Sequence, residues 1–290
     1  MKDENRILGT LFGVAVGDAL GAPLEFMSAR EIRQKHGTVT EMIGGGWLDV
    51  EPGEITDDTQ MTLAVAEGIV ENPQDPYGAI GRRFVEWYDS KPKDIGNCCR
   101  AVIADAKHSD ASTLKDWLAC AERVHNQTGG QTAGNGALMR AVYPILYYGA
   151  DGLEVSDNIG RMTHWHEDSR ASVKLYHKAI ASIITGGEVD VQAMAREIKA
   201  AANLREVQPT GYAPVALVYA CDALVSTSGF EAALVQIVNN GGDADTIGAI
   251  AGGLLGAWHG YDNIPKRWID TLDKDVSKRL CELAKVAAGA

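Results

Sequence analysis

Two short segments of the chain gather oxygen ligands in a way that could support chemistry. In Glu54-Ile55-Thr56-Asp57-Asp58-Thr59-Gln60 a hydroxyl and two carboxylates stand directly before the apolar run Met61 to Val70. In Asn239-Asn240-Gly241-Gly242-Asp243-Ala244-Asp245-Thr246 two carboxylates and a hydroxyl again open an apolar stretch, after a glycine pair that lets the backbone turn sharply. Each segment alone reads as a helix N-cap, with Thr56 accepting amide hydrogen bonds and Asp57 and Asp58 meeting the positive end of the helix dipole. Together they read as the halves of a split site for hard cations. Oxygen ligands without Cys or His nearby favour Mg²⁺ or Mn²⁺ over Zn²⁺. If the halves meet, four carboxylates share a small volume, and their repulsion demands either protons or compensating cations. Two divalent ions would supply the four positive charges.

Such a site needs a scaffold, and the pattern around it is helical. Apolar periodicity predicts helices near 5–22, 57–71, 76–87, 97–107, 113–125, 135–149, 153–162, 168–185, 190–202, 212–226, 230–239 and 244–258. A last amphipathic helix follows Ile264-Pro265, with Trp268, Leu272, Val276, Leu280 and Leu283 on one face. No strand pair stands out and no Pro-, Ser- or charge-rich linker divides the 290 residues, so the expectation is all-α and a single domain over 1–290. Glycine recurs every fourth residue at Gly9, Gly13, Gly17 and Gly21, and again at Gly248, Gly252 and Gly256. Glycine disfavours a helix by about 1 kcal/mol relative to Ala, so these stripes mark faces where neighbouring backbones come close.

Composition narrows the function classes. Hydrophobic residues make up 46% of the chain and the net charge is −12, as expected of a soluble globular protein whose surface repels polyanions; nucleic acid is excluded as a partner. The acidic start and the Asp18 that interrupts the apolar run Ile7 to Leu24 argue against a signal peptide and a membrane anchor. Five cysteines, two of them adjacent at Cys98 and Cys99, read as reduced thiols in a cytoplasmic protein.

The motifs carry a resemblance. Gly13-Val14-Ala15-Val16-Gly17-Asp18-Ala19-Leu20-Gly21 with Glu25, the Thr56-Asp57-Asp58-Thr59 run, Gly134-Asn135-Gly136-Ala137-Leu138-Met139-Arg140, Thr163-His164 and Gly241-Gly242-Asp243-Ala244-Asp245-Thr246 resemble the ADP-ribosylglycohydrolases, in the family's order. Gly44-Gly45-Gly46-Trp47, Pro52 to Thr59 and Asp94 to Arg100 look most like the branch that acts on dinitrogenase reductase. The resemblance implies an all-α fold with a binuclear Mg²⁺ or Mn²⁺ centre and a cleft for ADP-ribose. It also implies metal-dependent removal of ADP-ribose from a mono-ADP-ribosylated protein arginine. Alternatives within the same resemblance are another ADP-ribose linkage, on serine, a nucleobase or O-acetyl-ADP-ribose, or a non-catalytic binder.

Carried over residue by residue, the resemblance makes Thr56, Asp57, Asp58, Asp243, Asp245 and Thr246 the metal ligands, with Asp245 bridging, and Asp94 and Glu25 the candidates for proton transfer. Cleavage of the ribose–nitrogen bond builds oxocarbenium character, so ribose hydroxyls held at the cations and a carboxylate nearby would orient the sugar and stabilise charge. Gly134, Asn135 and Gly136 would open a helix from Ala137 to Tyr148 whose amides hold pyrophosphate oxygens. His164 would contact a phosphate or ribose, Tyr212 would stack near the adenine or distal ribose, and Gly45 and Gly46 with Trp47 would form a mobile loop beside the cleft.

Overall fold

The computed structural model describes residues 2–205, 207–226 and 229–290. Its helices are α1 (Glu4–Gly21), α2 (Ala29–His36), α3 (Asp57–Glu71), α4 (Tyr77–Asp89), α5 (Asn97–His108), α6 (Leu114–Gln127), α7 (Val142–Tyr148) and α8 (Leu153–Arg161). They continue with α9 (Glu167–Ile184), α10 (Val191–Ala201), α11 (Ala213–Ser226), α12 (Phe230–Val238), α13 (Ala244–His259), α14 (Lys266–Thr271) and α15 (Lys274–Gly289). The fold is all-α: among the described residues strand-like pairing is confined to the isolated bridges Ser28–Gly241, Gly45–Val50 and Gly134–Tyr212.

At the centre lie α1 and α13, which make the most extensive contact in the fold. Both are apolar and buried on nearly every side, as all-round hydrophobic helices must be. Their glycine stripes face each other and run antiparallel. A Cβ added at Gly13 would lie 2.0 Å from the carbonyl oxygen of Gly252, one at Gly17 2.0 Å from that of Gly248, and one at Gly21 2.3 Å from that of Ala244. Around this pair, α11, α12 and α9 pack on α13, while α15 and α3 pack on α1. By length and composition the stretch Glu4–Leu24 could cross a membrane, but 94% of its most apolar window is buried inside the protein.

Three departures from the sequence expectation have local causes. The helix expected over 135–149 is broken: Asn135–Ala137 forms a 3-10 turn and α7 begins only at Val142. In a continuous helix the Gly136 carbonyl would accept the Arg140 amide; here it accepts the Arg140 guanidinium at 2.5 Å. Pro144 lacks the N–H that would close the next bond. The helix expected after Pro265 is split at Leu272, because the Asp273 carboxylate caps a new start by accepting from the amides of Asp275 and Val276 at 2.8 and 3.1 Å. The residues expected on its apolar face are nonetheless all buried. Helix α2 was not anticipated, since it buries only Ile32 and carries no apolar stripe. Its signal is the capping box: Ser28 Oγ accepts from the Glu31 amide, and Glu31 accepts from the Ser28 amide at 2.7 Å.

The glycine contact leaves no room for a side chain. Gly13→Ala is expected to lower stability by about 3 kcal/mol, whereas Gly289→Ala, at the exposed end of α15 with no described atom within 4 Å of its added Cβ, is expected not to lower it by more than about 0.5 kcal/mol. Denaturant unfolding of both variants checks this; equal midpoints would mean that the helices part without penalty.

Candidate functional site

The antiparallel glycine contact sets the C-terminal end of α1 beside the N-terminal end of α13, and the two acidic segments meet there. Thr246 Oγ1 lies 3.4 Å from Asp58 Oδ2. Neither segment behaves as an ordinary cap: α3 and α13 both start without a side-chain cap hydrogen bond. Asp18 organises the first segment. Fully buried, it accepts the Thr56 amide at 3.0 Å, the Thr56 hydroxyl at 2.8 Å, the Thr59 amide at 3.1 Å and the Thr59 hydroxyl at 2.5 Å. The turn therefore wraps around a carboxylate from another helix, leaving Asp57 and Asp58 free to point into the site. In the second segment Gly241 and Gly242 hold φ of 70° and 69°. A Cβ at either would sit 2.0 Å from a carbonyl oxygen, that of Met27 or that of Pro209. The Phe26 amide donates to the Gly242 carbonyl at 2.7 Å, which ties the chain around Glu25 to the same turn.

The carboxylates of Glu25, Asp94 and Asp245 have ligand oxygens within 4.8 Å of one another, a group that could hold a metal ion. This triad joins one expected ligand, Asp245, with both expected proton-transfer groups. Asp57, Asp58 and Asp243 border it, as their mutual repulsion records: burial pushes the carboxyls of Asp57, Asp58 and Asp245 well above the usual range, and neighbouring carboxylates push them further. Glu25 rises to about 8, from burial first and then repulsion by Asp94 and Asp243, with the Trp47 hydrogen bond opposing. Burial also raises Asp94 and Asp243. Asp18 rises only to about 6, because its Thr56 and Thr59 donors offset its burial. Two carboxylate oxygens, Asp58 Oδ1 and Asp245 Oδ2, are buried without a hydrogen-bond partner. Orphaned acceptors in a buried, oxygen-only cluster are costly and fit a hard divalent cation.

Above this floor opens a cleft of about 720 Å³, lined by Glu25, Asp57, Asp94, Gly134, Asn135, Gly136, His164, Asp243 and Thr246 among the expected residues. Its opposite wall is built on the 3-10 turn. No helix N-terminus is offered there: the Asn135 amide already donates to the Gly211 carbonyl at 2.8 Å, while the Asn135 side chain donates to Asp243 Oδ2 at 2.6 Å. His164 packs on the glycines, and an added Cβ would meet its ring at 3.1 Å from Gly134 or 2.9 Å from Gly136. Arg140, which only donates, gives a hydrogen bond to Thr163 Oγ1 at 2.5 Å, and the same oxygen shares a hydrogen bond with His164 Nδ1 at 2.8 Å. Burial lowers His164 to about 3, with Arg140 assisting, so the ring is neutral.

Six expected residues do not line the cleft: Thr56, Asp58 and Asp245 are buried behind its lining, and Gly45, Gly46 and Tyr212 are engaged elsewhere. Gly45 pairs with Val50, and Gly46 abuts Pro23; the loop presents Trp47 instead, whose Nε1 donates to Glu25 Oε2 at 2.6 Å. Tyr212 pairs its backbone with Gly134 but donates its hydroxyl to Asp168, away from the cleft. Conversely, the sequence reading gave no role to Asp18, Phe26, Arg140, Gln131 or the Pro209-Thr210-Gly211 turn, all of which shape or support the cleft. Asp18 had a signal, a lone carboxylate in an apolar helix; the others had none at that level.

The family model described as ADP-ribosylglycohydrolase matches residues 1–290, and the chain belongs to that family of hydrolases acting on ADP-ribose linkages. It is similar to ADP-ribosyl-[dinitrogen reductase] glycohydrolase of Rhodospirillum rubrum, at 35% identity over 96% of this chain and 93% of that protein. It is also similar to the ADP-ribosylarginine hydrolase Tri1 of Serratia proteamaculans (strain 568), at 29% identity over 97% of this chain and 78% of that protein. Among solved structures, an ADP-ribosylglycohydrolase-related protein complex matches with a TM-score of 0.80 and 29% identity, covering 98% of each chain.

The clustered carboxylates generate a pH prediction. An acid whose folded pKa is raised stabilises the fold below its unfolded pKa, and that stability is lost as pH rises through the folded value. For Glu25 the window runs from the model-peptide 4.5 to about 8. In chelator the melting temperature should therefore fall across this window, and the gain on adding Mg²⁺ or Mn²⁺ should be larger near the top of it than near the bottom. A gain independent of pH in differential scanning calorimetry would mean that no cation compensates these carboxylates.

Proposed function

We propose that this protein is a divalent-metal-dependent hydrolase that releases ADP-ribose from a mono-ADP-ribosylated protein arginine. The observation that carries the reading is the buried carboxylate cluster, with the orphaned oxygens of Asp58 and Asp245, on the floor of a cleft in a chain of this family. The arginine linkage draws support from the relatives, named for dinitrogen reductase and for ADP-ribosylarginine. A cytoplasmic setting belongs to the proposal, consistent with free thiols at all five cysteines.

Thr56, Asp57, Asp58, Asp243, Asp245 and Thr246 would hold two cations, Mg²⁺ or Mn²⁺. When bound, these would supply Lewis acidity at the ribose hydroxyls and offset the carboxylate charge. The protein's own groups do the rest. The neutral His164 faces the phosphates and distal ribose without placing a cation against the acidic floor, and Asn135 keeps one Nδ2 proton beyond its bond to Asp243. Glu25 and Asp94 stand beside Asp245 and would flank the reacting C1″. As the C1″–N bond breaks, its electron pair leaves with the guanidine nitrogen and water adds to C1″; the proton lost by that water passes through Asp94 or Glu25 to the departing nitrogen.

Incubation of an arginine-ADP-ribosylated protein with Mg²⁺, Mn²⁺ or chelator, with a serine-linked substrate in parallel, tests the reading. Metal-dependent release of free ADP-ribose from arginine alone is expected. Release only from another linkage would overturn the substrate assignment, and release from none would leave a non-catalytic binder. Outer-sphere partners of a metal site affect activity by about 10- to 100-fold, so Asp245→Asn, at a ligand, should lower turnover by at least about 100-fold and weaken metal binding while keeping the helical circular dichroism signal.

A further inference from the structure

Two large aromatic rings stand out of the protein at the acidic end of the cleft. Phe26 is 69% exposed and Trp47 53% exposed; both line the cleft, and their ring centroids are 5.4 Å apart with the planes tilted by 40°. Each is held out by its backbone. Phe26 has φ of 63°, unusual for a bulky residue, and is pinned there by its amide bond to Gly242. Trp47 leaves a turn closed by the Gly45–Val50 pair, and its Nε1 is fixed on Glu25. Strain at Phe26 and the hydrogen bonds around Trp47 thus hold both rings at fixed positions on the cleft wall.

We infer that Phe26 and Trp47 form the subsite for the departing guanidinium of the ADP-ribosyl-arginine substrate. The inference rests on the function proposed above and deepens it by identifying the residues that read the arginine. Ring faces attract cations, and these two rings stand beside Glu25, which with Asp94 flanks the candidate ligand Asp245. The substituted guanidinium is the one cationic part of the substrate and lies next to the bond that breaks. Its charge also dictates the kinetic signature. The bonding pair departs with nitrogen, so positive charge leaves the guanidinium and builds on the ribose in the transition state. The aromatic contact is therefore strongest in the bound substrate and acts on KM more than on kcat.

The experiment uses ADP-ribosylagmatine, the small arginine-type substrate, with the metal-loaded enzyme. Trp47→Leu and Phe26→Leu are expected to raise KM by about 3- to 30-fold, by more than any change in kcat. The inhibition constant of free ADP-ribose, which lacks the guanidinium, should stay at the wild-type value and also reports that the cleft is intact. Trp47→Phe keeps a ring face but loses the bond to Glu25, and should recover most of the KM. An unchanged KM in both leucine variants would overturn the inference. So would an equal weakening of ADP-ribose inhibition, which would make the pair an adenine platform. Should wild-type enzyme turn over only the arginine-modified protein, the same KM comparison is made on that substrate; release from neither would overturn the proposed function, and the subsite with it.

Discussion

The closeness of two helix backbones is the constraint on which the rest depends. With glycine at each crossing point, α1 and α13 approach until a methyl group no longer fits between them. Successive residues on a helix are about 100° apart, so a pair locked by a four-residue stripe has little freedom to rotate or slide. That rigidity fixes the depth and direction of Asp18 on one helix and Asp245 on the other. It explains why glycine is retained through the middle of both helices despite its poor propensity.

Burying acidic residues together is unfavourable, and the structure treats them in two distinct ways. Asp18 is fully satisfied by four donors from Thr56 and Thr59 and serves as the post around which the first segment turns. Asp58 and Asp245 are equally buried, yet each keeps one oxygen without a partner. The same residue type thus supports the site in one case and in the other leaves an acceptor that a cation could meet. Arg140 shows the complementary arrangement: a buried guanidinium with carbonyl, hydroxyl and sulfur neighbours and the Phe84 ring beneath it, so its charge stays available to keep His164 neutral.

Much of this was legible in the sequence, and the reasons for the rest are specific. The helices around the core carried a 3.6-residue apolar rhythm, and the two acidic segments and two glycine stripes were visible as local patterns. That the stripes pack on each other was not, because periodicity describes one face of one helix and says nothing of its partner. The helix over 135–149 was overextended because the bond that ends it comes from the Arg140 side chain, which no propensity registers. In Gly45-Gly46-Trp47 the glycines drew attention as flexible elements, whereas they fix a turn whose product is the position of the indole. Asp18 served only as an interruption in an apolar run, since the donors that give it meaning arrive from a different helix.

The meeting of Asp58 with Thr246 joins residues 188 apart in the sequence. Chains emerge from the ribosome N-terminus first, at about 5–20 residues per second, so α1 and its stripe exist for many seconds before α13 is made. During that interval the glycine face of α1 lacks the helix it packs against, although Thr56 and Thr59 already offer Asp18 its donors. The cleft can close only after nearly the whole chain has been synthesised, which makes assembly of the site one of the last events of folding and leaves no active fragment along the way.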